Sequence, residues 1–243
     1  MSMEDTRPIQ SLAAIIPVYD EAGRVGQVLS VLREVACLKE IIVVDDGSND
    51  STFDEVNQCV NLDERIRVLS HANNRGKGQA VHTGMKATRA THLIMLDGDL
   101  VDLKPHHIHD LIQPVIDGEA DMTLGLFRGG RYKTDLSHWF VPWLTGQRCL
   151  RKDLFRYVSL NAAAGYGIET ALTVASRQQG WRCQHVVLRG VDHPPSEFHR
   201  GVWPGIKMRA KMNAQILRAF YLASRWKRLI RRIRIRVQFG KLQ

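Results

Sequence analysis

The sequence predicts a doubly wound α/β domain, and three observations carry that expectation. Apolar, β-branched runs recur roughly every 25 residues, segments of helical period lie between them, and polar, carboxylate-bearing loops follow the runs. With 243 residues, 44% hydrophobic and 24% charged, the chain can bury one full core, which excludes a wholly disordered, collagenous or coiled-coil molecule.

LAAIIPV (12–18), EIIVVD (40–45), RIRVLS (65–70) and HLIMLD (92–97) read as strands. The apolar ones are too continuous for a sheet with one wet face, so they are expected to be parallel and buried. Residues 24–36, 51–60 and 76–90 have helical character, giving a βαβαβαβ series. A helix from Pro105 to about Asp117 and a strand ADMTLGLF (120–127) follow. Residues 128–143 mix Gly, basic and aromatic side chains without a period, as a mobile substrate loop does; Trp139, Phe140 and Trp143 fit a small packed lid equally well. A short strand at 147–150, a helix at 168–179 and a strand at 182–188 complete the core. The expected organisation is an N-terminal tail (1–11), one domain (12–200) and a basic extension (201–243).

Cys37, Cys59, Cys149 and Cys183 lie far apart with no CxxC pair, which fits a reducing, cytoplasmic compartment. No stretch approaches the roughly 18 apolar residues of a membrane span, and the polar N-terminus does not read as a secretion signal. The net charge of +9 is confined to the end: from Phe198 onward there are 13 Lys or Arg and no acid, leaving the first 197 residues at −4. That segment calls for an anionic partner.

Ligands of doubly wound sheets lie beyond the C-terminal strand ends, here the loops at 17–21, 45–50, 71–78 and 97–100. Asp97-Gly98-Asp99 closes the fourth strand, and two carboxylates one residue apart at a turn suit a Mg²⁺ or Mn²⁺ ion bound to a diphosphate. Arg75, Gly76, Lys77 and Gly78 open the third helix, where N–H groups, helix dipole and a flexible cation make an anion site, with Lys77 placed for a diphosphate. Asp50 or Ser51 is placed to cap the second helix. Nine of the ten histidines show no metal spacing and read as surface or helix-face residues.

In order and spacing, IIPVYDEA, IIVVDDGSNDST, NNRGKGQAVHTGM and MLDGD resemble family 2 glycosyltransferases of the GT-A fold, a Rossmann-like, mainly parallel arrangement, over residues 12–200. The resemblance implies a nucleoside-diphosphate sugar donor (UDP- or GDP-linked), Mn²⁺ or Mg²⁺, and transfer to an acceptor. It places Pro17, Tyr19 and Glu21 at the nucleoside, Asp45, Asp46 and Ser48 at base or ribose, and Asp97 and Gly98 against the donor. His193, in GVDHPP, resembles the histidine that completes the metal set with Asp97 and Asp99. Asp99 and Glu169 are the catalytic candidates; Glu169, in GYGIET, would contact sugar or acceptor or act as a base. TGQRCLRK, with Arg148, resembles the SGQRxxRR stretch of relatives acting on phosphorylated acceptors and lacks the QxxRW signature of processive synthases, so a single transfer is expected.

A phosphate monoester is already an anionic nucleophile near neutral pH and needs cations more than a base. GLFRGGRYK, with Arg128 and Arg131, resembles the GSRY-type loop of polyprenyl- and dolichyl-phosphate sugar transferases, although Phe127 replaces its serine. In residues 206–239 apolar side chains are interleaved with Lys and Arg, which suits a helix lying on an anionic membrane; RIRIRVQF (232–239) fits an edge strand, a binding arm or a disordered end as well. The expectation is a peripheral enzyme at the inner face of the cell membrane acting on a polyprenyl phosphate, with a small soluble acceptor such as phosphoglycerate as the alternative. No nucleic-acid partner is expected of such an enzyme. A binding or scaffold protein acting through its basic tail is the alternative of another class, and its affinity for any duplex would fall steeply with salt.

Overall fold

The computed structural model describes residues 11–129, 145–158 and 167–192. Seven strands form one sheet in the order β3-β2-β1-β4-β6-β5-β7. They are β1 (Leu12–Val18), β2 (Leu38–Asp45), β3 (Ile66–Ser70), β4 (His92–Met95), β5 (Met122–Arg128), β6 (Arg148–Arg151) and β7 (Cys183–Arg189). All neighbours pair in parallel except β6, which is antiparallel to both β4 and β5. The helices are α1 (Val25–Arg33), α2 (Thr52–Val60), α3 (Lys77–Ala87), α4 (Pro105–Ile116) and α5 (Ile168–Gln179), with a 3-10 turn at Lys152–Tyr157.

Strand alternation divides the core into two layers. Ala14, Ile16, Ile41, Val43 and Ile94 pack with α1, α2 and α4, whereas Ala13, Ile15, Ile42, Val44, Leu93 and Met95 pack with α3 and α5. The central strands are buried on both faces, as their unbroken apolar runs require. Pro17 is tolerated in central β1 because of where β4 stops. The Ile15 carbonyl accepts from Leu96 N–H on the β4 side, so the alternate residue Pro17 faces that side beyond the last pair, Ile15–Met95, where no donor is needed.

The expected series stands, with helix ends pulled in by one to three residues and β4 ending before Leu96. The Asp50 carboxylate, rather than Ser51, takes the Thr52 N–H at the start of α2. Among the histidines the surface reading fails for His71, His92 and His107, all buried. His107, 2% exposed in the first turn of α4, accepts the Lys104 N–H at Nδ1. Burial pushes its pKa down, reinforced by His106, while a hydrogen bond to the Arg189 backbone works the other way. Burial, then Arg151, lowers the pKa of His92.

Both imidazoles thus bind a proton less readily in the fold than in the unfolded chain, where they titrate near pH 6.5. Below that pH the unfolded chain binds more protons, so stability falls as pH drops from about 6.5 toward the lower native values, by at most about 1.4 kcal/mol per pH unit for each histidine. Urea midpoints measured between pH 7 and 5.5 should fall, and the fall should be shallower in His107→Gln.

Candidate functional site

The C-terminal ends of β1, β2 and β4 and the first turns of α3 and α5 meet at one edge of the sheet. The β1 and β2 loops are laced together: Asp20 N–H donates to Ser48 Oγ (3.0 Å), Asn49 N–H to Asp20 Oδ1 (2.9 Å), and Asn49 Nδ2 reaches the Tyr19 hydroxyl (3.4 Å). Glu21 pairs with Arg24 (2.6 Å), and its carbonyl accepts the Arg24 and Val25 N–H groups that start α1. Tyr19, Glu21 and Ser48 remain partly exposed along this rim, while Pro17 is buried.

Asp45 and Asp46 are both buried and organise different loops. Asp45 accepts from Ser48 N–H (3.1 Å) and Ser70 Oγ (3.2 Å). Asp46 gathers three donors from the β3–α3 loop: the Arg75 and Gly76 N–H groups at 2.9 and 2.6 Å, and His71 Nδ1 at 2.7 Å. His71 Nε2 meets Thr83 Oγ1 at 2.9 Å, so the ring bolts the loop to α3. The base-or-ribose candidate Asp46 therefore also sets the loop that delivers Lys77.

Lys77 Nζ lies 2.6 Å from Asp97 Oδ1 and 2.6 Å from Glu169 Oε1. Burial opposes its charge, but the two carboxylates prevail and hold Lys77 above the ordinary lysine range. Three positions 92 residues apart at the extremes, on α3, after β4 and on α5, thus converge at one ammonium. Gln147 Nε2 donates to Asp97 Oδ2 (3.0 Å). A Cβ on Gly146 would stand 2.7 Å from both Lys77 Nζ and Asp97 Oδ2, so only a residue without a side chain leaves this cradle open. A Cβ on Gly98 would strike Val18 Cγ1, and the bare backbone lets the turn sit on the end of β1 with Asp97 and Asp99 both partly exposed.

Hard carboxylate oxygens one residue apart, beside a cradle that a methyl would fill, suit a divalent cation. Among the described residues no group of three His, Cys, Asp or Glu side chains is arranged to hold one. The expected third ligand, His193, lies outside the described residues, as does Arg131. The backbone just before His193 does reach the site: Asp192 exchanges both backbone hydrogen bonds with Val101, two residues past Asp99 (3.0 and 3.1 Å).

Arg148 overturns an expectation. It has no exposed surface, donating from Nε to the Thr145 carbonyl (2.9 Å) and from Nη2 to Thr173 Oγ1 (3.2 Å). Burial pushes its pKa down to about 10, with Glu169 pulling the other way. As the first residue of internal strand β6 it faces the α5 layer, so it braces the site from beneath instead of meeting an acceptor. Arg128 stands exposed at the end of β5. The sequence marks His71 only as the first residue of the 71–78 loop and Gln147 only by its place in TGQRCLRK.

Residues 13–169 match the model of glycosyl transferase family 2, and the chain belongs to that family. Glycosyltransferase GlyG of Streptococcus pneumoniae is 28% identical over 156 residues, 63% of this chain and 50% of that protein. The dolichyl-phosphate beta-glucosyltransferase of Dictyostelium discoideum is 28% identical over 170 residues, 64% of this chain and 49% of that one. The chain therefore spans about half the length of these curated relatives. Glucosyl-3-phosphoglycerate synthase of Mycobacterium tuberculosis, solved with Mn²⁺, UDP and glucosyl-3-phosphoglycerate, superposes with a TM-score of 0.71 at 21% identity, over 88% of this chain and 80% of that one. The architecture is the GT-A fold.

Replacing Asp46 by Ala leaves the Arg75 and Gly76 N–H groups and the His71 ring without their acceptor. Stability should fall by about 1–3 kcal/mol in urea titrations. Amide exchange at residues 75 and 76 should quicken well beyond that at the centre of β2.

Proposed function

We propose that the chain is a metal-dependent glycosyltransferase that moves one sugar from a nucleoside-diphosphate sugar to a phosphate-bearing acceptor, a polyprenyl phosphate at the cytoplasmic membrane face. The single observation that carries the reading is the convergence of Lys77, Asp97 and Glu169 at the strand ends of a family 2 domain. Dolichyl-phosphate beta-glucosyltransferases among the relatives support a lipid phosphate. Among the described residues no helix is long and apolar enough to cross a membrane. The reading therefore gives membrane attachment to residues 206–239, which lie outside the described ones.

In this mechanism the loops after β1 and β2 hold the nucleoside through Tyr19, Glu21, Asp45, Asp46 and Ser48. Lys77, at the N-terminus of α3, meets the diphosphate where the helix dipole also favours negative charge. A divalent cation held by Asp97, Asp99 and His193 supplies, when bound, further charge for the departing diphosphate. The acceptor phosphate oxygen bonds to the anomeric carbon as the bond from that carbon to the diphosphate breaks, and the electron pair leaves with the nucleoside diphosphate. A phosphate nucleophile gives Glu169 no proton to remove, so its work is to position Lys77 and contact the sugar or acceptor. The soluble-acceptor reading has its own support: Gly146 and Gln147 of TGQRCLRK and Glu169 of GYGIET all lie at the site.

The test is transfer of radiolabelled sugar from UDP- and GDP-sugars with Mn²⁺ or Mg²⁺ to a bacterial lipid extract and, separately, to phosphorylated metabolites. Label is expected in the organic phase. Label confined to a water-soluble product selects the second reading, and no transfer in either pool sinks the catalytic reading in favour of a binding role for the basic tail. Lys77→Met and Asp99→Ala should each lower turnover about 10²-fold or more.

A further inference from the structure

Two neighbouring strands end in the same dipeptide, Arg128-Gly129 on β5 and Arg189-Gly190 on β7. The parallel register sets Phe127 opposite Leu188 and Arg128 opposite Arg189, and Gly190 N–H continues the ladder to the Arg128 carbonyl (3.0 Å). In-register neighbours of a parallel pair project to one face. Phe127 and Leu188 both belong to the core layer of α1, α2 and α4. Arg128 and Arg189 therefore share the opposite face, where α3 and α5 bring Lys77 and Glu169.

Both arginines are exposed, and neither is ion-paired to a carboxylate among the described residues. Each is followed by a glycine of positive φ, 75° and 78°, whose Cβ would meet nothing within 4 Å. Arg128, Gly129, Arg189 and Gly190 line a cavity of about 360 Å³. Two arginines opposite one another in register, with no acid paired to either among the described residues, concentrate positive charge that a bound dianion would offset. Their planar forks match the tetrahedral oxygens of a phosphate better than a lysine would. Beyond Gly190 the chain reaches Asp192, paired with Val101 just past the Asp97–Asp99 turn, so two residues of chain lead from the cavity to the neighbourhood of that turn.

We infer that Arg128 and Arg189 form a paired-guanidinium seat for a phosphate monoester, which is the nucleophilic phosphate of the acceptor if the function proposed above holds. Arg189 is the new residue here, and the seat requires both arginines. The shared chemistry is a terminal phosphate, whether on a lipid or on a small metabolite.

The test measures binding of two probes to the full chain with UDP and Mn²⁺ present: 3-phosphoglycerate by calorimetry, and neutral phosphatidylcholine vesicles doped with polyprenyl phosphate by sedimentation. One of the two should bind, and which one identifies the source of the phosphate. Arg189→Gln and Arg128→Gln should each weaken that probe about tenfold or more, with Arg189→Lys retaining part of the affinity. UDP affinity, measured alone with Mn²⁺, should stay unchanged in all three variants. Loss in Arg128→Gln but not in Arg189→Gln overturns the paired seat, as does failure of both probes to bind the unaltered chain. Failure of UDP to bind is a separate result that counts against the donor reading, and the phosphate probes alone then judge the seat.

Discussion

The Lys77 ammonium is the point on which the arrangement turns. A lysine four-fifths shielded from water is stable only with its charge answered, and both Asp97 and Glu169 answer it. Meeting that demand fixes the approach of α3 to the end of β4 and of α5 to both. Removing either acid would leave a charge imbalance in a poorly hydrated place, so the three groups form one unit. Arg148 extends the unit downward, a second cation within reach of Glu169 but closed to solvent.

Around this unit the scaffold divides the work. Asp46 receives the β3–α3 loop, so the backbone N–H groups that lead into α3 are held by the protein itself. Gly146 and Gln147 approach Asp97 from the far side, one by having no side chain and the other by supplying a donor. The acidic turn is therefore bounded on three sides by parts of the chain distant in sequence, which is how a few strand-end residues acquire a defined geometry.

Much of the fold was legible because burial on both faces forces continuous β-branched runs, and IIVV in β2 or HLIM in β4 has no other comfortable home. The site candidates of the first hundred residues were legible for a related reason: in a doubly wound sheet the ligand edge follows from strand direction alone. What escaped was set by tertiary contact. RCLR in β6 has four residues and two arginines, so neither its antiparallel insertion nor the full burial of Arg148 is written in its periodicity. His71 and Gln147 act through partners 25 and 50 residues away, and Arg189 gains its significance only from lying beside Arg128 in the register of two strands.

The reversed strand β6 has a consequence for how the molecule can change. It separates β4, which ends at the acidic turn, from β5, which ends at Arg128, by two inter-strand steps, or about 10 Å. Because it runs backward, it presents its entry, Thr145 to Gln147, to the ligand edge, and closes that gap with compact backbone. Within the sheet the end of β4 is thereby set apart from the ends of β5 and β7, and the Val101–Asp192 bridge brings the chain that follows β7 back beside the acidic turn. The two groups of strand ends on one edge are held by separate backbone ladders, β1 with β4 and β5 with β7, so a change in one ladder need not disturb the other.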